Sequence, residues 1–310
     1  MGWAAYATAV HLQLAALFAL HPPTLLECAQ IVLLGATLAS ALLSVVHDAG
    51  HNELHRRDWV NNVVVHVAVP TGLWVGQYRI KHRTHHKQAN EFGIDEAAHP
   101  HPLLRVHPQA PLRPWHRYQH LYAPALYSLA WIGDLRSQVR FLRTGVAGLK
   151  RVGTPWSRLR SFAAEKAMTA AVLLPYGLLA GPVRLGALLA ATLAVTSLLA
   201  GLVLLVGHVN LGLVDVPGSS FITRAFTTTA AFATDSAWMR RLTGGLTHHH
   251  VHHLRPHVPR STFAAVHADV IVPLAADREL PLIAFPSLRA AVAGHLSALR
   301  QLGRAQEGAF

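Results

Sequence analysis

The sequence predicts an all-α integral membrane protein in which four transmembrane helices carry a cytosolic helical cap, and the cap holds a histidine-rich site. Three observations lead there. Of 310 residues, 52% are hydrophobic and only 14% charged, with a mean hydropathy of +0.29; charged residues in a soluble chain usually make up roughly a quarter. Long apolar runs alternate with polar, basic stretches. Three histidine clusters fall in those polar stretches, none inside a run.

The elements follow in order. Residues 3–20 form a first span interrupted by His11 and Gln13. This run lacks the charged n-region and the cleavage site of a signal peptide, so a span is expected. His21-Pro-Pro-Thr24 turns the chain into a second span, 25–46, with Glu27 and Gln30 near its interfacial start. His47-Asp-Ala-Gly-His51 then emerges at the membrane surface. Residues 62–74 are apolar but short, and Pro70 and Gly72 predict a kinked or interfacial helix. A basic stretch, 77–86, holds the second cluster. Residues 88–114 have no helical period and read as cap surface, and 116–141 as an amphipathic interfacial segment. A linker bearing Lys150, Arg151, Arg158 and Arg160 leads to spans three and four, 162–180 and 185–206, joined at Gly181-Pro-Val-Arg184. Residues 215–241 are a mixed cap stretch, 263–272 and 288–302 amphipathic cap helices, and 303–310 a frayed tail.

The cap thus comprises about 47–161 and 207–302, within one membrane domain of residues 1–310. The stretches bearing the clusters hold most of the lysine and arginine, whereas the two opposite turns hold only Arg184. That asymmetry puts the clusters and both termini in the cytoplasm, the membrane expected being a bacterial inner membrane. The formal charge of +12 is spread between apolar runs and not over a soluble module with stacking aromatics, so anionic membrane lipids and an acidic protein partner are expected, and nucleic acid is not. The lone Cys28 excludes an intrachain disulfide and any cysteine-based metal site.

The histidines carry the chemistry. His47 and His51 are four apart on one helical face. His82, His85 and His86 stand at i, i+3 and i+4, and His249, His252 and His253 repeat that spacing. His208 follows the fourth span. A catalytic metal takes about three protein ligands, so nine histidines suit two metals. Imidazole alone does not separate iron from zinc, nickel or copper. Adjoining apolar helices suit a hydrocarbon substrate, whose C–H bonds call for a redox metal that activates oxygen. Paired-histidine haems are disfavoured because the clusters lie at span ends and contain adjacent histidines.

These residues resemble the membrane fatty acid desaturases. His47-Asp-Ala-Gly-His51, His82-Arg-Thr-His-His86 and His249-His-Val-His-His253 match the three histidine boxes of that family. Trp59-Val-Asn61, Asn90, the stretch from Arg113 to Tyr122, Gly207-His-Val209 and Gly244-Gly-Leu246 agree with it as well, so that the resemblance runs from about Leu42 to Leu302 and is nearest the acyl-lipid and front-end branches. It implies two iron ions held by the boxes and His208, and an O2-dependent desaturation of an acyl chain on a lipid or thioester. It further implies electrons from a separate carrier, a ferredoxin with its reductase or a free cytochrome b5-type protein, since no cytochrome b5 domain is expected at either end. His249 stands where many acyl-lipid members have Gln, Thr247 replaces the usual Asn, and Val251 replaces a frequent Glu.

Other residues are weighed around this set. Asp48 is a candidate acceptor for a first-box imidazole or a plain helix-terminal residue, Asp95 and Glu96 are candidate acceptors that read at least equally as surface loop, and Asn210 would bond a metal water or cap a helix. His248 and His250 fall off the face of the third box. His99, His101 and His107 are expected to be solvated in the proline-rich loop, and His116 and His120 structural. Trp74, Gly76 and Trp238 would line an acyl tunnel or simply lie at the interface. A hydroxylase or ketolase acting on a carotenoid, sterol or sphingolipid is the alternative enzyme. A non-enzymatic metal carrier would require ionisable residues inside the spans, which offer only His11 and Glu27.

Overall fold

In a computed structural model, which describes residues 3–19, 24–96, 101–147 and 150–304, two long apolar helices turn back on each other at Gly181. Its φ of 77° is open to glycine without steric cost. In chain order the helices are α1 (Trp3–Ala19), α2 (Thr24–Ala41), α3 (His47–Gly50), α4 (Asp58–Val64), α5 (Val75–Lys87), α6 (Gln119–Ser128), α7 (Ala130–Thr144), α8 (Pro155–Ala180) and α9 (Pro182–Val206). They continue with α10 (Phe221–Thr228), α11 (Ala237–Leu242), α12 (His249–Leu254), α13 (Phe263–Val266), α14 (Val272–Asp277) and α15 (Leu288–Leu302). The all-α expectation meets a small exception in two pairs of two-residue strands. β1 (Val146–Ala147) runs antiparallel to β2 (Lys150–Arg151), and β3 (Ala231–Phe232) parallel to β4 (Ala284–Phe285).

Among the described residues, three helices are long and apolar enough to cross a membrane: Thr24–Gly50, Pro155–Ala180 and Pro182–Val206. The first joins α2 to α3 through a π-turn at Leu42–Val46 and so runs four residues beyond the expected span, carrying His47 on the same helix. α8 likewise begins earlier than expected, at Pro155. α1, the expected first span, has 17 residues and falls short of the other three. The expected turn after it, together with His99 and most of the C-terminal tail, lies outside the described residues.

The chain divides into two units, Met1–Arg79 with Tyr127–Gly201, and Ile80–Leu126 with Leu202–Phe310. Residues 47–79 and 127–161, expected in the cap, therefore group with the long apolar helices. Within the first unit, Val10, Leu14, Leu17 and Phe18 of α1 pack on Leu34 and Leu38 of α2 and Leu188 of α9. α2 and α9 run in the same direction: Glu27 pairs with Arg184 at their starts, and further along Gly35 lies so close to Val195 that a Cβ would come within 2.6 Å of it. The outer faces of α2, α8 and α9 remain apolar, with Leu25, Leu178 and Val183 each at least 78% exposed, a surface that water does not favour. α8 also holds the start of α5. Glu165 accepts hydrogen bonds from the backbone N–H groups of Val75 (2.6 Å) and Gly76 (3.3 Å), placing a carboxylate at the positive end of that helix. Trp74 donates to Ser161 and packs on Phe141 and Phe162, so it is a core residue of this unit.

In the second unit, Phe226, Val251, Phe263, Ile271 and Ala275 form an apolar cluster behind α12. Arg105, 1% exposed, fastens the loop before α6 to α15. Its guanidinium donates to the carbonyls of Ala110 (2.6 Å), Leu302 (2.5 Å) and Pro108. Gln119 closes the same joint by bonding the Arg105 backbone and the Leu299 carbonyl. An Arg105→Leu variant strips three buried carbonyls of their donor, at about 1–3 kcal/mol each where no water enters. It is expected to lower stability by about 3–5 kcal/mol, read as an earlier unfolding transition of the detergent-solubilised protein.

Candidate metal centre

Three elements of the second unit bring seven of the nine predicted histidines together: α5 supplies His82, His85 and His86, the turn after α9 supplies His208, and α12 supplies His249, His252 and His253. Local sequence explains the placement of α12. Gly244 and Gly245 take φ of 62° and 89°, and this tight turn feeds a 3₁₀ turn (Leu246–His248) that opens α12. At Gly207 a Cβ would lie 3.3 Å from the His249 ring, so glycine there lets the imidazole lie against the end of α9.

His208 is the hub. Its Nε2 lies 2.8 Å from His249 Nε2, 3.0 Å from His85 Nε2 and 3.2 Å from His253 Nε2. The opposite nitrogens fix the tautomers. His85 Nδ1 donates to Asp95 Oδ2 at 2.7 Å, His208 Nδ1 to the Thr228 carbonyl at 3.0 Å, and His249 Nδ1 to the Leu246 carbonyl at 3.3 Å. Each of these acceptors holds the ring proton on Nδ1, so His85, His208 and His249 turn bare Nε2 lone pairs toward one another. Facing lone pairs at hydrogen-bond distance repel unless a cation lies among them. Two nitrogens each about 2.1 Å from one metal stand roughly 3 Å apart or slightly more, which matches this set. The residues fit a metal ion.

Burial keeps the imidazoles in the ligating form. It lowers the His208 pKa to about 3, with His85 adding to the effect. It also holds His249 and His253 well below the usual histidine value, helped by neighbouring rings. Neutral imidazole is the form that binds metal. Asp95 is itself held: Oδ2 also accepts the Asn90 N–H at 2.9 Å, and the Asn90 side chain donates to the His208 carbonyl at 2.7 Å. Sequence reasoning named Asp95 but gave Asn90 no such task.

A second group lies beside the first. Ring nitrogens of His82, His86 and His252 are all within 4.8 Å of one another, and His86 Nε2 is 3.3 Å from His82 Nε2. In the first unit, His47 and His51 stack edge to face with centroids 5.0 Å apart, and Asp48 Oδ1 lies 3.7 Å from His47 Nδ1.

Asn210 takes the helix-capping alternative and Glu96 the surface one, whereas His107 departs from its expected solvation. The Asn210 amide donates to the Val206 and Ala291 carbonyls and its oxygen accepts the Leu211 N–H, which ties α9 to α15 and turns no group toward the cluster. His107 is buried and faces Asp215. Glu96 pairs with Lys81 at 2.9 Å. His248 and His250, as expected, point away from the hub, toward His267 and Phe226. Val251 is fully buried in the apolar cluster, where a carboxylate would lack a charged partner.

A model of the fatty acid desaturase family matches residues 23–286. Over 264 residues the chain is 26% identical to an sn-1 linoleoyl-lipid 6-desaturase of Arthrospira platensis, covering 79% of this chain and 68% of that protein. Shorter matches reach an sn-1 oleoyl-lipid 12-desaturase of Anabaena variabilis, 37% identical over 65 residues, and an sn-1 acyl-lipid omega-3 desaturase (ferredoxin) of Nostoc sp. (strain 36), 35% over 69 residues. These two cover 21% and 22% of this chain and 19% of either relative.

Proposed function

The chain belongs to the fatty acid desaturase family and is a fatty acid desaturase, and from that premise we propose that it inserts a double bond into the acyl chain of a membrane lipid, using O2 and two irons held by nine histidines. His85, His208, His249 and His253 hold one iron. His82, His86 and His252 hold the other, completed by His47 and His51. The observation that carries this reading is the convergence of Nε2 lone pairs on His208, an arrangement that calls for a cation. The parallel course of α2 and α9 supports the part given to His47 and His51: α2 continues into α3 toward the same end to which α9 runs. The irons supply activation of O2 and removal of hydrogen from carbon. The protein's own residues orient the imidazoles, through Asp95, Thr228 and Leu246, and burial keeps those of His208, His249 and His253 unprotonated.

Four spans, with α1 as the short fourth, place the site at the cytosolic face. The exposed apolar sides of α2, α8 and α9 support insertion in a membrane, here assigned to a bacterial inner membrane. Electrons come from a separate carrier. The name of the Nostoc relative favours a ferredoxin, and the basic charge of +12 suits an acidic donor. Expression in a host lacking polyunsaturated lipids, followed by double-bond mapping of the fatty acids, tests the activity. One new double bond at a fixed position is expected; an oxygenated product two hydrogens richer would identify a hydroxylase instead.

A further inference from the structure

A cavity of about 250 Å³ in the second unit is lined by His208 and Asn90 together with His107 and Asp215. At roughly 30 Å³ per molecule it holds several waters. His107 and Asp215 have no part in the metal set. His107 Nδ1 accepts the Gln109 N–H at 3.2 Å, so the ring proton sits on Nε2, which faces Asp215 Oδ2 at 3.5 Å. Phe92 stacks on the ring and fixes its plane. The two side chains are only 6% and 4% exposed, and among the described residues neither Asp215 Oδ1 nor His107 Nε2 has a hydrogen-bond partner. A buried carboxyl oxygen beside a cavity with room for water needs either a water or a proton. Asp215 nonetheless sits in a surface loop, between the exposed Val214 and Val216. It therefore stands between solvent and the His208 end of the cluster.

We propose that Asp215 carries protons from solvent into this cavity, oriented by His107, and so supplies the histidine cluster with the protons that O2 reduction consumes. The inference rests on the desaturase reading. Removing two hydrogens from –CH2–CH2– while reducing O2 to two waters takes two electrons from the carrier and two protons from solvent. Asp215 Oδ1–H donates a proton to the waters of the cavity and the carboxylate is then reprotonated from the loop surface. His107 keeps its own Nε2 proton throughout and, facing Oδ2 at 3.5 Å, holds the carboxyl group in place. The surrounding charges permit this. Burial raises the Asp215 pKa, against the pull of His107 and Arg224, while Glu91, paired with Arg224, adds to the rise. Burial likewise lowers His107, with Asp215 opposing and Arg105 assisting.

The test uses the purified, iron-loaded enzyme. In the resting state, with no turnover, infrared difference spectra near neutral pH should show a protonated carboxyl band that is absent in Asp215→Asn and shifted in His107→Gln. Under turnover, Asp215→Asn should keep its iron and its KM for lipid, lose about a hundredfold or more in kcat, show a larger solvent deuterium effect and divert O2 to hydrogen peroxide. Asp215→Glu should recover much of the rate with a displaced pH profile. If Asp215→Asn loses iron, Asp215→Glu decides: recovery of rate with a displaced pH profile supports the relay, and recovery of iron with an unchanged profile overturns it in favour of a structural tie. A wild-type chain that desaturates while Asp215→Asn matches it in rate and isotope effect would overturn the relay alone. A wild-type chain that forms no double bond would overturn the desaturase reading and the relay with it.

Discussion

A His208→Ala variant is expected to make no detectable double bond and to lose about one iron per chain. The reason is geometric. His208 Nε2 lies within 3.2 Å of three other imidazole nitrogens, from His249, His85 and His253. Without it, those rings keep their own tethers but lose their common neighbour, and the space it leaves admits a water in place of a ligand. Loss of a partner that only orients a ligand typically costs 10–100-fold in metal affinity or activity, and loss of the hub ligand should exceed that. Elemental analysis of purified protein and fatty-acid mapping measure both effects. His257→Ala, which removes an exposed histidine just beyond α12, should leave both unchanged and so separates a local loss from general damage.

An Asp95→Asn variant is the second large effect, and its chemistry is subtler. The carboxylate accepts from His85 Nδ1 at 2.7 Å and from the Asn90 N–H at 2.9 Å, both on Oδ2. An amide in its place offers a neutral oxygen or, once flipped, a donor. Either the His85 proton is held less firmly on Nδ1, or it moves to Nε2 and removes the lone pair that faces the metal position. A 10–100-fold fall in iron affinity is expected, measured by competition with a chelator, with activity restored in part at high ferrous iron. Asp95→Glu should be damaged as well, because Asn90 is held at a φ of 58° by the same oxygen and leaves little room to move.

The sequence made the histidines legible because their spacing is local. An i, i+3, i+4 set on any helix shares a face, and α5 and α12 are helices at those positions. Asp95, ten residues beyond His85 and past the end of α5, was left open between an acceptor and a surface residue, and its bond to His85 decides it. What escaped was set by contacts between distant segments. His107 looked like a solvated loop residue, yet Asp215, more than a hundred residues later, encloses it. Asn210 left a metal water and a helix cap open, and the choice is made by two carbonyls that claim its amide, one of them from distant α15. Val251 was conspicuous as a missing carboxylate. Its side chain belongs to the apolar cluster with Phe226 and Phe263, so the helix face that lacks a carboxylate is the face turned from the hub. The helix of the second expected span runs on past its expected end at Val46, since a π-turn carries it to Gly50, within the first box.

The metal content of the purified, active enzyme is the measurement that bears most directly on this account. Nine histidines in two groups predict two irons per chain, lost together with desaturation on chelation and restored together by ferrous iron but not by zinc. Full activity with zinc, or with fewer than one iron per chain, would contradict it.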